Sequence, residues 1–210
     1  MLLCKKTLRL QVRGNGVLMK QDRRTKRTRS WLYESLLELM KSKDYADISI
    51  TELTEKSDIA RQSFYRIYAS KDDILLSKMD EINSEIFEKS ELEFKQQGGQ
   101  FLDLVIRQLV IAFQEDEEFF SALLKAELQH KELTKFSECI ARFYIKEKNH
   151  QELSENHLYR ICFIVGGIYM VLFKWNESNM NTPAETIIEI LQKSARHIYL
   201  ILDEYSDYPM

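Results

Sequence analysis

The sequence predicts an all-α protein: an N-terminal three-helix unit followed by a longer helical bundle. Three observations carry this. Apolar residues recur at spacings of three and four along most of the chain, as helices with one buried face require. Only Pro183 and Pro209 are prolines, and there are six glycines in 210 residues, too few breakers for a fold of strands and turns. The caps and breakers that do occur fall between periodic segments, at Ser49, Ser70, Gly98-Gly99 and Asn181-Thr182-Pro183.

In chain order, residues 1–18 show no helical period and are interrupted by Gly14 and Gly16. Residues 1–27 are expected to be a basic, disordered extension. Met19, followed by KQDRRTKRTRS, is the expected natural start, with a genuine basic arm as the alternative. The first helix is expected over about 28–42, with Trp31, Leu32, Leu36, Leu39 and Met40 on its apolar face. After a break at Lys43–Ile48, Ser49 and Glu52 form an S-x-x-E capping box that opens a short helix running to about Lys56. Ser57–Ala60 is a tight connection and Arg61–Tyr68 a second short helix, the layout of a helix-turn-helix. Ser70 is expected to cap a long helix with Asp72 and Asp73 in its first turn, where acids favour the dipole. Its stripe of Ile74, Leu75, Met79, Ile82, Ile86 and Phe87 ends near Gly98-Gly99. Further helices are expected at about 101–114, 116–127, 131–148, 154–176 and 184–204, the last with Thr182 as cap and Pro183 at its first position.

Bulk properties narrow the function. The composition, 44% hydrophobic and 30% charged, is that of a soluble globular protein with enough chain for a buried core. Cys4, Cys139 and Cys162 are odd in number and lack metal-type spacing, so no disulfide framework is expected and the location is expected to be a reducing cytoplasm. Cys139 and Cys162 read as small core residues. The most apolar stretch, Ile161–Phe173, is bounded by Arg160 and Lys174 and is too short to span a membrane. The opening MLLCKKTLRL lacks the apolar core of a signal peptide. Charge is divided: residues 1–75 hold 16 Lys and Arg against 10 Asp and Glu, whereas 76–210 hold 14 against 23. A basic head on an acidic body suits a polyanion-binding module joined to one that does not bind polyanions.

The head carries the chemistry. Residues at the start of a recognition helix face base edges in the major groove. Arg61 and Gln62 stand there, and both can bond bidentately, Arg to guanine and Gln to adenine. Thr51, in the first turn of the preceding helix, is a phosphate candidate, because helix N-terminal amides favour anions. The run Arg23, Arg24, Lys26, Arg27 and Arg29 lies just before the first helix and can follow the phosphate backbone or an adjacent groove, with Arg27 and Arg29 taken as its DNA contacts.

The segment Ile50–Leu75, ITELTEKSDIARQSFYRIYASKDDIL, resembles the signature of the TetR/AcrR family of transcriptional regulators. Ala60-Arg61-Gln62-Ser63-Phe64-Tyr65-Arg66-Ile67-Tyr68 stands where the family has S-R-G-T-F-Y-R-H-F, and Ala69-Ser70-Lys71-Asp72-Asp73-Ile74-Leu75 where it has K-S-K-E-E-L-L. The resemblance covers about 28–75 strongly and the rest only as general helical architecture. It implies a DNA-binding domain at 28–75 and a regulatory and dimerisation domain at 76–210. It also implies phosphate contacts by Ser63, Tyr65 and Lys71, and a core role for Phe64, Ile67 and Tyr68. The sequence departs from the family at Asp58 and Asp44, which replace glycines, and at Ala60, which replaces a Ser/Thr cap. Asp58 has to take a left-handed conformation, or else cap the next helix itself.

The same resemblance implies double-stranded DNA as partner and a homodimer formed through the helices at about 154–176 and 184–204. Gly166-Gly167 would permit close approach there, and a thick monomeric core is the alternative. GGIYMVLFKW followed by NTPAETI weakly resembles a subgroup that includes regulators of dihydroxyacetone kinase operons, one of them an activator working with a protein co-regulator. The expected function is therefore a ligand-responsive homodimeric repressor reading a pseudo-palindrome through residues 61–68. The alternative is an activator or co-regulator acting through a protein partner. Aromatics such as Phe87, Phe94, Phe113, Phe119, Phe120, Phe143 and Tyr144 are pocket candidates, although core is the commoner fate of such residues. Glu127-x-x-His130 and Glu147-x-x-His150 match a di-iron pattern and keep a helical metal enzyme as a remote reading. No catalytic residue, cofactor, metal or membrane is expected.

Overall fold

The computed structural model describes residues 23–148 and 153–204. Residues 1–22, among them Met19 and most of the basic extension, lie outside them, as does His150. Within the described residues every regular element is helical: α1 (Arg23–Met40), a 3-10 turn (Tyr45–Asp47), α2 (Ile50–Lys56), α3 (Arg61–Ile67), α4 (Asp72–Gln97), α5 (Phe101–Glu115), α6 (Glu117–Lys125), α7 (Gln129–Lys148), α8 (Glu155–Glu177) and α9 (Ala184–Glu204).

Local chemistry sets most boundaries. Ser49 accepts from the Glu52 amide at 3.1 Å, but the Glu52 carboxylate goes to Lys43 at 2.6 Å, so only half of the capping box forms. α4 is begun differently from expectation. Ser70 does not cap it with its side chain; the Asp73 carboxylate reaches back to the amides of Ala69 and Ser70, both at 2.9 Å. A carboxylate offers these two donors more acceptor capacity than one hydroxyl does. Gly98 (φ +69°) and Gly99 (φ +99°) end α4 and turn the chain into α5. α9 starts at Ala184, as its expected range has it, but Pro183 stands just before the helix rather than at its first position, its carbonyl accepting from the Thr186 and Ile187 amides.

One continuous apolar core runs from Leu32 and Leu36 of α1, through Phe64 and Tyr68, to Leu172 and Leu191. Residue 75, expected to close the head, falls inside α4, whose first turns sit with the head while the rest forms the body. Against α4 lies α5, while α7 packs on α8 and α9 on α5. α8 is the one described helix long and apolar enough to cross a membrane by length and composition, because the helix runs on through Arg160 and Lys174, which bound its most apolar stretch. Here it packs on α5, α6, α7 and α9.

Two side-chain expectations are corrected. Trp31 stands 42% exposed beneath the Arg27 guanidinium, off the buried line of Leu32, Leu36 and Leu39. Cys162 is exposed on α8 rather than placed in the core.

Candidate nucleic-acid interface and body cavity

α2 and α3 are joined by a turn with Asp58 at φ +54°, the left-handed geometry expected at a position where glycine is usual. The turn is closed by Ile59 N–H on the Thr54 carbonyl (3.0 Å) and by the buried Ser57 hydroxyl on the Leu53 carbonyl (2.8 Å). Asp58 does not cap α3: Ala60 occupies the cap position with no side-chain bond. α3 is instead pinned from beneath. Phe64 is fully buried, Tyr68 nearly so, and Ile67 half so.

Fixing that underside turns a polar edge outward. Arg61, Gln62 and Arg66 are exposed, Ser63 is half-buried, and Tyr65 is 51% exposed with its ring edge-on to Phe64 at 5.3 Å. Gln62 and Arg66 are one turn apart, as are Arg61 and Tyr65. Arg66, absent from the residues singled out in the sequence, shares this exposed edge through its helical spacing from Gln62. Thr51 is exposed on the first turn of α2. Lys43 and Lys56 nearby are neutralised by Glu52 (2.6 Å) and Glu38 (2.7 Å), whereas neither Arg61 nor Arg66 forms an ion pair among the described residues.

Two expected contacts are turned inward. The Lys71 ammonium donates to the carbonyls of Tyr45, Ala46 (3.2 Å) and Ile48 (2.8 Å) and lies 4.4 Å from the Tyr45 ring centroid. Burial lowers its pKa from the ordinary lysine range. Tyr45 in turn donates to Asp72 at 2.7 Å, so the start of α4 is bracketed to the 3-10 turn. Arg29 donates to the Ser77 hydroxyl at 3.2 Å and lies over Tyr68 (5.6 Å), stitching α1 to α4. Arg27 is exposed. The basic run lies on the first turns of α1, which begins at Arg23 rather than near Thr28. A stretch polar on all sides gives no apolar stripe from which to read a helix.

The body holds an apolar cavity of about 330 Å³ between α5, α7 and α8, within the size range of small-ligand pockets. Of the aromatic candidates, Phe94, Phe143 and Tyr144 line it. Phe113, Phe119 and Phe120 are instead buried core, and Phe87 borders a separate open groove between α4 and α7. Glu127 and His130 are both exposed, Glu127 in the turn before α7 and His130 on its first turn.

Comparison with known proteins agrees with this architecture. Residues 102–197 match the family model for a TetR-type transcriptional regulator C-terminal region. A curated relative, the uncharacterized HTH-type transcriptional regulator YxbF of Bacillus subtilis (strain 168), is 40% identical over 68 residues, 32% of this chain. That match spans only 18% of the relative's length. The family-model match makes residues 102–197, just under half of the chain, similar to the C-terminal region of TetR-type transcriptional regulators. Solved structures share the fold of this chain. Lin0861 from Listeria innocua superposes with a TM-score of 0.65 at 18% identity, over 84% of this chain and 93% of that one. A candidate TetR-family regulator from Syntrophomonas wolfei gives 0.64 at 18% identity, over 83% and 96%.

Proposed function

We propose that the protein is an effector-responsive homodimeric repressor, with a DNA-binding head at 28–75, a regulatory and dimerisation body at 76–210, and residues 1–27 as a basic extension. α3 enters the major groove, where Arg61 and Gln62 read base edges. Tyr65, Ser63 and Thr51 bind phosphates, Arg66 and Arg27 add charge, and Lys71 and Arg29 contribute mainly by holding the head in shape. The observation that carries this reading is the division of α3 into a buried Phe64–Tyr68 underside and an exposed edge bearing unpaired cations.

Dimerisation is supported by α8, where Phe163 (67% exposed) and Met170 (71% exposed) share a face with Tyr159 and the uncrowded Gly166-Gly167. A large apolar face left bare on one chain fits a two-fold interface. Two heads then reach half-sites about 34–36 Å apart. Repression needs only that an operator be occupied and released, which the head and the cavity-bearing body supply. The work is done in the cytoplasm, where the DNA is.

The test is a gel shift on the DNA upstream of the protein's own coding sequence. Arg61→Ala is expected to lower operator affinity by about 1–3 kcal/mol and relax base preference at one position per half-site. Equal loss on operator and on random DNA removes Arg61 as a base reader.

A further inference from the structure

α8 forms one wall of the body cavity and carries a second apolar face behind it. At about 3.6 residues per turn, Ile161, Ile164, Val165 and Ile168 fall on one side of the helix, and these line the cavity. Tyr159, Phe163 and Met170 fall on the opposite side and are exposed. Protein interiors keep few voids larger than a water molecule, so a space of about 330 Å³ exceeds a packing gap. An apolar cavity of about 150 Å³ stays dry and accepts one benzene ring. This one is roughly twice that size.

The polar groups at its rim are already engaged. The Arg196 guanidinium meets the Asp103 carboxylate at 3.1 Å, joining α9 to α5. His157 Nδ1 lies 2.7 Å from the Ser154 hydroxyl, and its ring is 5.8 Å from that of Tyr144. Arg160 has a partner of its own. Among the described lining residues there is no Asp or Glu. An entering anion would have to break one of these contacts, and a cation would find no carboxylate; a charge buried without a partner is costly. The rest of the lining is apolar. Aliphatic side chains of α5 and α8 face an aromatic end, where Phe101 and Phe143 stack face to face and Phe94 stands edge-on to both, at 5.9 and 6.5 Å.

We propose that this cavity takes an uncharged apolar ligand of about a dozen carbon atoms, a compact two-ring body by the scale of the benzene cavity. The inference deepens the effector site of the proposed repressor and rests on that reading only for its regulatory meaning. A filled cavity supports α8 from the side opposite Phe163 and Met170. Ligand and partner subunit then press on the two faces of one helix, and their affinities are linked.

The test is calorimetric titration of the full chain, without DNA, with benzene, naphthalene, 2-naphthoate and 2-naphthylmethylammonium. Naphthalene is expected to bind about tenfold or more tighter than benzene, whose single ring leaves half of the space unfilled. It should exceed both charged analogues by at least as much, because neither finds a free partner inside. Ile164→Trp places a ring in the cavity and should abolish naphthalene binding with helicity by circular dichroism unchanged. Should that variant lose helicity, the smaller Ile164→Phe makes the same test, with a loss of about tenfold. Equal or tighter binding of either charged analogue, benzene as tight as naphthalene, no naphthalene binding, or undiminished binding by the folded variant overturns the proposal. Because DNA is absent, these outcomes do not depend on the gel shift: naphthalene binding without operator binding sinks the repressor reading and leaves this one standing.

Discussion

Lys71 stands where the family resemblance implies a phosphate contact, yet its ammonium donates to three backbone carbonyls of the segment before α2. The position was readable from the motif; the partners were not, because carbonyls more than twenty residues upstream meet Lys71 only through the tertiary fold. Arg29 repeats the lesson: an arginine in a basic run reads as a DNA contact until Ser77 and Tyr68 are seen to hold it. Two substitutions separate the roles. Arg61 is exposed, so Arg61→Ala should change unfolding free energy by no more than about 0.5 kcal/mol while weakening operator binding. Lys71→Met removes the donors for buried or half-buried carbonyls and should cost about 1–3 kcal/mol in a urea titration. An unchanged urea midpoint for Lys71→Met would leave its ammonium free for phosphate and refute the bracket.

Among the elements, legibility followed apolar periodicity. α5 to α9 are legible to within a few residues, because each carries an apolar stripe, and the glycine pair before α5, the Ser154 cap of α8 and Pro183 before α9 sharpen three of the starts. α1 begins earlier than the stripe implies, because its first turns are polar all round, and the 3-10 turn at Tyr45–Asp47 has no periodicity to betray it. The sequence shows that α8 has more apolar residues than one face needs, but not which ones the body covers. Packing resolves this: Val165, Ile168, Tyr169 and Leu172 are buried, leaving Phe163 and Met170 bare. The prediction belongs to this face. Phe163→Glu with Met170→Glu places four like charges in a two-fold apolar contact, and desolvating charges without partners is costly. In sedimentation equilibrium the double variant should be a monomer at concentrations where the parent is a dimer, with helicity by circular dichroism unchanged. A parent that is itself monomeric, or a variant that still pairs, removes α8 as the dimer face.

At the scale of the whole molecule, a buried carboxylate joins the helix leaving the head to the two that complete the body. Glu132 of α7 is fully buried, accepting from the Tyr169 hydroxyl of α8 at 2.7 Å and from the Asn83 amide of α4 at 3.2 Å. No lysine, arginine or histidine forms an ion pair with it among the described residues; Lys135 acts on it only at longer range, opposed by Asp80. Burial raises its pKa to about 7, the two hydrogen bonds pulling weakly the other way. In the unfolded chain the same group ionises in the ordinary glutamate range. Between roughly pH 4.5 and 7 the unfolded state has therefore released a proton that the folded state still holds, and stability must fall as pH rises through that window. Above it the loss is constant, on the order of 3 kcal/mol at most. Glu132→Gln keeps an acceptor for Tyr169 and cannot ionise. Relative to the parent it should be of similar stability near pH 4.5 and progressively more stable up to about pH 7, by up to that amount, as read from urea midpoints along a pH series. Taking the difference between the two proteins cancels the opposite slope from Asp72, whose pKa is held down by Tyr45 and Lys131. A difference that does not change with pH would mean that Glu132 ionises in the folded state as readily as in water. The α4–α7–α8 joint would then be hydrated rather than closed around a neutral carboxyl.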